Sequence, residues 1–330
     1  MKIIQSSHDD NFSKSEKQGL LILGLLFVLG SFYIFGRETK ASFVELSFEE
    51  NQTLISQMTD SRLDYFFENL DLKASSVLII NSENKKEIYG KDIEKVMPLA
   101  SLVKIMTAVV AMENIEESEI IQIPKEALKL TGDNGLLVDE KWGRDDLLRF
   151  TLIASSNDAT RAISMHVGKK LGAENEEDSV KAFVELMNKK AKDLGLIHTI
   201  FLNESGLDQG NGQNGGYSNS REIVALFDYA INKYPDIFSS TSFGSKVFTS
   251  VSNASHNALN TNPNPGLVAG ISASKTGFTN ISGGNLIVSF RTPKNQTIIA
   301  NVLGSTFSDR FTDIEKLSNT TLKIINEVEL

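Results

Sequence analysis

Asn285–Phe290 reads NLIVSF and Gln296–Leu303 reads QTIIANVL, and this pair of apolar runs decides the fold. Both runs are rich in β-branched residues, which favour strands. The segment Arg291–Asn295 between them contains Pro293, which a central strand does not tolerate, so we predict two strands joined by a turn. A packed β-hairpin is therefore expected close to the C-terminus.

The opposite end of the sequence carries matching strand signals. Ser76–Ile80 (SVLII), followed after a turn-like stretch by Lys86–Tyr89 (KEIY), predicts a second hairpin. Apolar residues at three- and four-residue steps predict helices in Leu102–Val110, Asp145–Ala154, Asp158–Val167, Asp178–Leu194, Ser220–Asn232 and Asp309–Val328. We therefore predict an α+β fold, in which N- and C-terminal strands form one antiparallel sheet flanked by helices, with a helical lobe inserted.

The N-terminal part contains one segment that departs from this pattern. Gln18–Gly36 (QGLLILGLLFVLGSFYIFG) is uncharged, and a helix over it would nearly span a hydrocarbon core about 30 Å thick. A cleaved signal peptide is the alternative, but bulky Tyr33 and Phe35 lie where a small-x-small cleavage site would fall. We predict a cytoplasmic tail over 1–17, a transmembrane anchor over 18–36, a stalk or leading segment over 37–71 and a folded domain over 72–330.

The overall composition excludes several classes of protein. The net charge of -9 argues against nucleic-acid binding, which depends on clustered lysine and arginine. The absence of cysteine removes disulfides, thiolate metal sites and cysteine nucleophiles. The four histidines have no metal-ligand spacing, so we predict neither a metal nor a cofactor.

The first chemical motif is a Ser-x-x-Lys step, in which Ser101 and Lys104 lie at the start of a predicted helix. A three-residue step places the hydroxyl and the amine on one helix face. Lysine has an ordinary pKa of about 10.4, so Lys104 can act as a base only if burial or nearby cations lower that pKa. The motif is weak alone, because a solvent-facing lysine beside an N-terminal serine is common.

The second motif is Ser155-Ser156-Asn157, in the break between two predicted helices. Loops on a rigid scaffold often carry catalytic side chains. Ser155 could pass a proton between Lys104 and a leaving amine, and Asn157 could hold a substrate amide. The plain alternative is an interhelix turn in which Asn157 or Asp158 caps the second helix.

The third motif is Lys275-Thr276-Gly277, just before the predicted C-terminal hairpin. A strand edge there could bind an extended peptide by strand addition, and Gly277 would leave room for close approach of a backbone. Lys275 would supply positive potential. The hydroxyls of Thr276 and Thr279 could bind a carboxylate.

Together and in this order, the three motifs resemble those of the serine acyl-transferases that react with penicillin. Five segments look like the D-alanyl-D-alanine carboxypeptidases among the low-molecular-mass penicillin-binding proteins: LASLVKIMTA, LLRFTLIASSNDAT, FLNESGLDQ, ALNTNP and SASKTGFTNISGGNLIVSF. The resemblance covers the chain from Leu72 onward, so it implies a DD-peptidase catalytic domain over 72–330 with the serine β-lactamase/DD-peptidase-like fold. Only Gln209–Gly216 (QGNGQNGG), a flexible loop by composition, looks like an insertion.

The resemblance also implies a role for each motif residue. Ser101 would be the nucleophile and Lys104 the general base, with Ser155 and Asn157 on the second wall of the site. The oxyanion hole would use the backbone N–H groups of Ser101 and Phe278. 

The remaining implied residues would bind the substrate. The strand-edge wall would consist of Lys275, Thr276, Gly277 and Thr279. Arg310 would assist carboxylate recognition. Its alternative role is that of an exposed arginine at a helix start, paired with Asp309 or Asp313.

The implied substrate is a peptidoglycan stem peptide that ends in D-Ala-D-Ala, and β-lactam antibiotics would be covalent inhibitors. The implied location is outside the cytoplasmic membrane, attached through residues 18–36. Three alternatives stay open: a DD-endopeptidase with the same residues, a β-lactamase, and a non-catalytic wall-binding scaffold. A β-lactamase needs a glutamate that activates water, and the nearest candidates, Glu185 and Glu204, lack that sequence context.

Overall fold

The structure is a computed structural model that describes residues 66–132 and 135–327. The predicted cytoplasmic tail, the predicted anchor and nearly all of the predicted stalk lie outside these residues. Within the two described ranges, no helix combines the length and the apolar character that crossing a bilayer requires.

Twelve strands and the main helices of the described residues are numbered in chain order. The strands are β1 (Ser76–Asn81), β2 (Glu87–Lys91), β3 (Met97–Pro98), β4 (Ile120–Gln122), β5 (Lys141–Gly143), β6 (Ile200–Phe201), β7 (Gly216–Ser218), β8 (Ser245–Thr249), β9 (Ser255–Leu259), β10 (Ile271–Thr279), β11 (Gly283–Arg291) and β12 (Thr297–Ser305). The helices are α1 (Val103–Asn114), α2 (Arg144–Ala154), α3 (Asn157–Lys170), α4 (Glu176–Asp193), α5 (Ser220–Lys233), α6 (Pro235–Phe238) and α7 (Asp309–Glu327).

The main sheet has five strands in the order β10-β11-β12-β1-β2. β1 pairs with β12 in antiparallel register, with Ser76 opposite Leu303 and Asn81 opposite Ile298. The three C-terminal strands form a meander, so strands from both ends of the domain meet in one sheet. The predicted α+β fold with an inserted helical lobe is confirmed.

The sheet separates two apolar cores. Alternation along β1 directs Leu78 into the core on one face and Val77 and Ile79 into the core on the other. α7 covers the second core with Ile314 and Leu317, both buried. Burying each such aliphatic side chain contributes about 1.5–3 kcal/mol, so these faces fix the register of the sheet.

The first core surrounds α1, which is the central helix of the domain. Every residue from Val103 to Ala111 is buried, and only Lys104 and Thr107 in that stretch are polar. A helix buried on all sides is expected to be apolar all round. The two polar side chains therefore need specific partners, and Thr107 Oγ1 donates to the backbone carbonyl of Glu204 at 2.6 Å.

Residues ahead of β1 also belong to the packed domain. Phe67 is fully buried, and its ring stacks on that of Tyr89 with centroids 4.6 Å apart. The Asp313 carboxylate of α7 accepts a hydrogen bond from the backbone of Ala74 at 2.9 Å. The packed core thus includes a residue that the sequence-based division places in the stalk over 37–71.

The hairpin formed by β8 and β9 is absent from the sequence-based prediction. Phe248 and His256 lie opposite each other in it, and Phe248, His256 and Ala258 are its buried residues. Its sequence lacks the apolar–polar alternation on which strand prediction depends, because the polar His256 is buried while the apolar Val247 and Leu259 are exposed.

Candidate active site

Ser101 lies in a short 3₁₀ turn (Ala100–Leu102) that leads directly into α1. Ala100 adopts a left-handed conformation with φ of 48°, which is strained for a residue with a side chain. Two glycines enclose this turn: a Cβ on Gly206 would lie 1.9 Å from the Ala100 carbonyl oxygen, and one on Gly277 would lie 3.2 Å from the Ser101 nitrogen. The turn that carries Ser101 is therefore held between two backbones that approach it closely.

Lys104 is fully buried, one helical step from Ser101. Its Nζ lies 2.7 Å from the Ser205 carbonyl oxygen, 2.8 Å from Asn157 Oδ1 and 3.2 Å from Ser101 Oγ. Burial lowers the pKa of Lys104 from 10.5 to about 7, although the nearby carboxylate of Glu204 raises it. The predicted condition for a lysine base is thus met by desolvation.

The arrangement around Lys104 determines how a neutral amine would be oriented. A neutral amine has two N–H donors and one lone pair. Ser205 O is a pure acceptor, and Asn157 Oδ1 also accepts, so these two oxygens take both donors. The lone pair then faces Ser101 Oγ, which can donate its proton to it.

Glu204 lies close enough to Lys104 to raise its pKa, and it is fully buried. Its Oε1 accepts from Arg161 Nε at 2.6 Å, and Arg161 also contacts Glu176 at 2.6 Å. A buried carboxylate without a cation would be costly, and it would also favour the charged form of a nearby lysine. Arg161 therefore partly neutralises the field that Glu204 exerts on Lys104.

Ser155 and Lys275 meet on the other side of the cleft. Ser155 ends α2 in a left-handed conformation with φ of 56°, and its Oγ accepts from Lys275 Nζ at 2.8 Å. Burial lowers the pKa of Lys275 well below its usual value, and the cations Lys104 and Arg310 lower it further. The structure thus brings the second and third motifs into direct contact.

The start of α3 differs from the plain interhelix turn. Ser156 is the N-cap, and its side chain accepts from the backbone of Ala159 at 3.1 Å. The alternative with Asn157 or Asp158 as the cap is therefore wrong. Because Ser156 takes the capping position, the Asn157 carboxamide is free to turn into the cleft, where Nδ2 donates to Thr131 O at 2.7 Å.

β10 forms one edge of the main sheet, as the third motif predicts. Thr276 Oγ1 donates to Thr261 Oγ1 at 2.6 Å, and Thr279 Oγ1 donates to Ser282 Oγ at 3.1 Å. Phe278, between them, is 42% exposed. Two hydroxyls and a buried lysine therefore line this edge.

Arg310 lies at the start of α7 and is 3% exposed. Its Nη1 donates to the Gly277 carbonyl oxygen at 2.8 Å. Its guanidinium carbon lies 4.7 Å from the ring centroids of Phe307 and Phe311 and 5.9 Å from that of Phe278. The alternative of an exposed arginine is therefore wrong, because the side chain is covered by aromatic rings.

Asn214 is a residue of the site that the sequence did not reveal. It is fully buried, its Oδ1 accepts from the backbone of Ala100 at 3.1 Å, and its Nδ2 lies 2.7 Å from Asp208 Oδ1 and 3.3 Å from Thr279 Oγ1. The segment Gln209–Gly216 differs from the predicted flexible loop, because its last residues are buried against the turn that carries Ser101. A buried asparagine among glycines gives no periodic signal that would have identified it.

Comparison with known proteins agrees with this geometry. The family profile of peptidase S11, described as D-alanyl-D-alanine carboxypeptidase, matches residues 64–306. The D-alanyl-D-alanine endopeptidase of Escherichia coli K12 is 28% identical over 260 residues, which are 75% of this chain and 76% of that protein. The carboxypeptidase DacF of Bacillus subtilis is 29% identical over 252 residues, 74% of this chain and 61% of that protein.

Solved structures give the same grouping. The ampicillin-bound penicillin-binding protein D2 of Listeria monocytogenes is 28% identical, with a TM-score of 0.64 over 76% of this chain and 98% of that chain. A point mutant of the Streptomyces K15 DD-transpeptidase is 23% identical with a TM-score of 0.69 over 76% of this chain and 98% of that chain, a likeness of fold. The family match, which covers most of the described domain, confirms the resemblance seen in the sequence. The chain belongs to the D-alanyl-D-alanine carboxypeptidase family of serine peptidases.

Proposed function

We propose that the protein is a D-Ala-D-Ala carboxypeptidase that trims peptidoglycan stem peptides through an acyl-enzyme on Ser101. One observation carries this proposal. The Lys104 amine is fully buried, its pKa is lowered to about 7, and the lone pair of its neutral form faces Ser101 Oγ. A base near neutral pKa beside a hydroxyl is the arrangement that nucleophilic acyl transfer needs.

In the proposed acylation, Lys104 accepts the proton of Ser101 while Oγ forms a bond to the carbonyl carbon of the penultimate D-alanine. The carbonyl oxygen becomes an oxyanion, which the backbone N–H groups of Ser101 and Phe278 stabilise. The C–N bond then breaks. Lys104 returns its proton to the leaving D-alanine amine through Ser155, which lies at the end of α2.

In the proposed deacylation, a water molecule replaces the leaving amine. Lys104, neutral again, accepts a proton from this water as its oxygen attacks the ester carbonyl carbon. The bond to Ser101 Oγ breaks, and Oγ takes the proton back from Lys104. The shortened stem peptide leaves with a new carboxylate.

The strand edge supports the choice of a peptide substrate with a free carboxylate. An extended peptide can pair with the open edge of β10, and the Thr276 and Thr279 hydroxyls can donate to its terminal carboxylate. Lys275 lies beside them, and a carboxylate bound there would favour its charged form. Asn157, whose Oδ1 accepts from Lys104, would hold both the base and a substrate amide.

Two other hydrolases use the same kind of site. A DD-endopeptidase would need the same residues, and the relative from Escherichia coli bears that name. A β-lactamase would need a glutamate beside the acyl-enzyme, but the Glu204 carboxylate is in a buried ion pair with Arg161, and Glu185 is exposed on α4. These positions favour the peptidase over the lactamase.

The proposed location is outside the cytoplasmic membrane, where peptidoglycan lies, with residues 18–36 as a single-pass anchor. The support for this placement is the uncharged stretch Gln18–Gly36 and the match to a family that acts on D-Ala-D-Ala.

The test is covalent labelling of the full chain with a fluorescent penicillin, followed by mass mapping of the adduct. We expect the adduct on Ser101, loss of labelling in Ser101→Ala, and release of D-alanine from a stem peptide by the unsubstituted protein. Ser252→Ala, at an exposed turn of the β8–β9 hairpin, should label normally. An adduct on another serine would contradict the assignment, and rapid penicillin turnover without D-alanine release would favour the lactamase.

A further inference from the structure

Arg310 does not reach the cleft as a free cation. Its guanidinium is 2.8 Å from the Gly277 carbonyl oxygen, and the side chain is 3% exposed. Phe307 and Phe278 cover it on the solvent side, with their rings in edge-on contact at 5.0 Å between centroids. A substrate carboxylate could contact Arg310 directly only if these rings moved.

The carbonyl that Arg310 binds belongs to a specific peptide unit. The Gly277 C=O and the Phe278 N–H are the two ends of one planar trans peptide, so they point in opposite directions. With the carbonyl fixed toward Arg310, the Phe278 N–H is aimed away from α7. A Cβ on Gly277 would lie 3.2 Å from the Ser101 nitrogen, so this peptide adjoins the nucleophile turn.

The structure leaves room for this contact and holds it in place. A Cβ on Gly284 would lie 3.2 Å from Arg310 Cδ, so the glycine on β11 gives the arginine arm its path. Asp313, one turn further along α7, accepts from Ser305 Oγ at 2.7 Å and fixes the helix to the sheet. The position of the guanidinium is therefore set by the fold.

The electrostatic consequence follows from the charge. Burial lowers the pKa of Arg310 only to about 10, so the side chain remains a cation at neutral pH. A hydrogen bond from a cation to a carbonyl is stronger than a neutral one, and it polarises the peptide so that its N–H becomes a better donor.

We infer that Arg310 is a positioning residue of the oxyanion hole, which orients and polarises the Gly277–Phe278 peptide instead of binding the substrate carboxylate. This inference rests on the proposed function, because it assigns the Phe278 N–H to the oxyanion. Arg310 acts through that peptide on the acylation step, and the carboxylate is left to Thr276, Thr279 and Lys275.

The test separates two constants of the penicillin reaction, the initial dissociation constant and the first-order acylation rate constant. In Arg310→Gln we expect acylation to slow about tenfold, less than the loss of a whole oxyanion donor, while the dissociation constant changes less than about twofold. Arg310→Lys should recover part of the rate. Arg291→Gln is the matched control, since Arg291 is exposed on the same sheet and contacts Asn295.

A spectroscopic readout distinguishes positioning from general structural damage. In the adduct of a penicillin labelled with ¹³C at the reacting carbonyl, the ester stretch should move to higher frequency in Arg310→Gln, since the carbonyl is less polarised. A larger dissociation constant, with an unchanged acylation rate constant and an unchanged ester stretching frequency, would overturn the inference in favour of direct carboxylate binding. If Arg310→Gln does not fold, Arg310→Lys carries the same test with a smaller shift. Absence of any Ser101 adduct in the unsubstituted protein would overturn the proposed function and this inference with it.

Discussion

Lys104 on helix α1 and Lys275 on strand β10 are equally buried, at 0% and 1% exposure, but their surroundings differ. Lys104 contacts three oxygens, including Ser101 Oγ, and has the carboxylate of Glu204 nearby. Lys275 contacts Ser155 Oγ and the Thr276 carbonyl, and its charged neighbours are cations. Burial lowers both pKa values, and the neighbouring charges oppose that effect at Lys104 and reinforce it at Lys275.

This difference teaches that burial alone does not assign a role to a lysine. An amine with a pKa of about 7 exchanges protons readily at neutral pH, and burial lowers the pKa of Lys104, beside Ser101, to this value. Lys275 lies in a positive field, where an incoming carboxylate is attracted and would in turn restore the charge of the lysine. We therefore expect Lys104 to act in bond making and Lys275 in anion binding.

The largest expected effect comes from exchanging each lysine for glutamine. Lys104→Gln removes the base, so the penicillin acylation rate constant should fall about 10³-fold with little change in initial binding. Lys275→Gln should instead weaken initial binding about tenfold, because a charged partner for the carboxylate is lost. Stopped-flow measurement of both constants checks the pair. Loss of acylation in Lys275→Gln, with normal acylation in Lys104→Gln, would reverse the two roles.

A smaller effect is expected from substitution of Asn214. Its side chain connects the turn that carries Ser101 with strand β10, through Ala100 on one side and Thr279 on the other. Asn214→Ala leaves buried backbone groups without a partner, so unfolding should become easier by about 2–3 kcal/mol and acylation about tenfold slower. Chemical denaturation and penicillin acylation measure the two effects. Asn211→Ala is the control, since Asn211 is exposed in the same loop and its side chain contacts Gln213.

For Asn211→Ala we expect the free energy of unfolding to change by no more than about 0.5 kcal/mol and acylation to be normal. Equal effects of the two substitutions would mean that the loop matters only by its backbone. In that case the Asn214 side chain would not be the link between the turn that carries Ser101 and the strand edge.

The fold could be predicted where buried strands have a clear composition. NLIVSF and QTIIANVL are long apolar runs, and they became β11 and β12. The β8–β9 hairpin could not be predicted in the same way, because Val247 and Leu259 are exposed, His256 is buried, and its stabilising contacts lie in distant segments. One example is the hydrogen bond between His256 Nε2 and Glu140 Oε1 at 2.6 Å.

The candidate site shows the same limit at the level of single atoms. Side-chain motifs such as Ser-x-x-Lys are visible in a sequence, so Ser101, Lys104 and Lys275 could be selected together. The acceptor that completes the Lys104 environment is the Ser205 carbonyl, and a backbone carbonyl has no sequence signature. Arg310 was placed near the strand edge, but its direction depends on aromatic packing that only the folded chain shows.

The smallest expected effect concerns Glu204, whose carboxylate raises the pKa of Lys104. Glu204→Gln removes that carboxylate, so the charged form of Lys104 loses stabilisation and its pKa falls further below about 7. A base must be neutral to act, so the acid limb of the acylation rate should move to lower pH. At pH 6 the fraction of the plateau rate that the variant reaches should be about two- to threefold larger, since Arg161 already offsets much of the field of Glu204.

The control is Glu176→Gln, because Glu176 contacts the same Arg161 but is more exposed to solvent and is not among the charges that shift the pKa of Lys104. An acid limb that moves to higher pH in Glu204→Gln, or moves equally in both variants, would contradict the assignment of Lys104 as the titrating base, because removing a neighbouring anion can only make protonation of that amine harder.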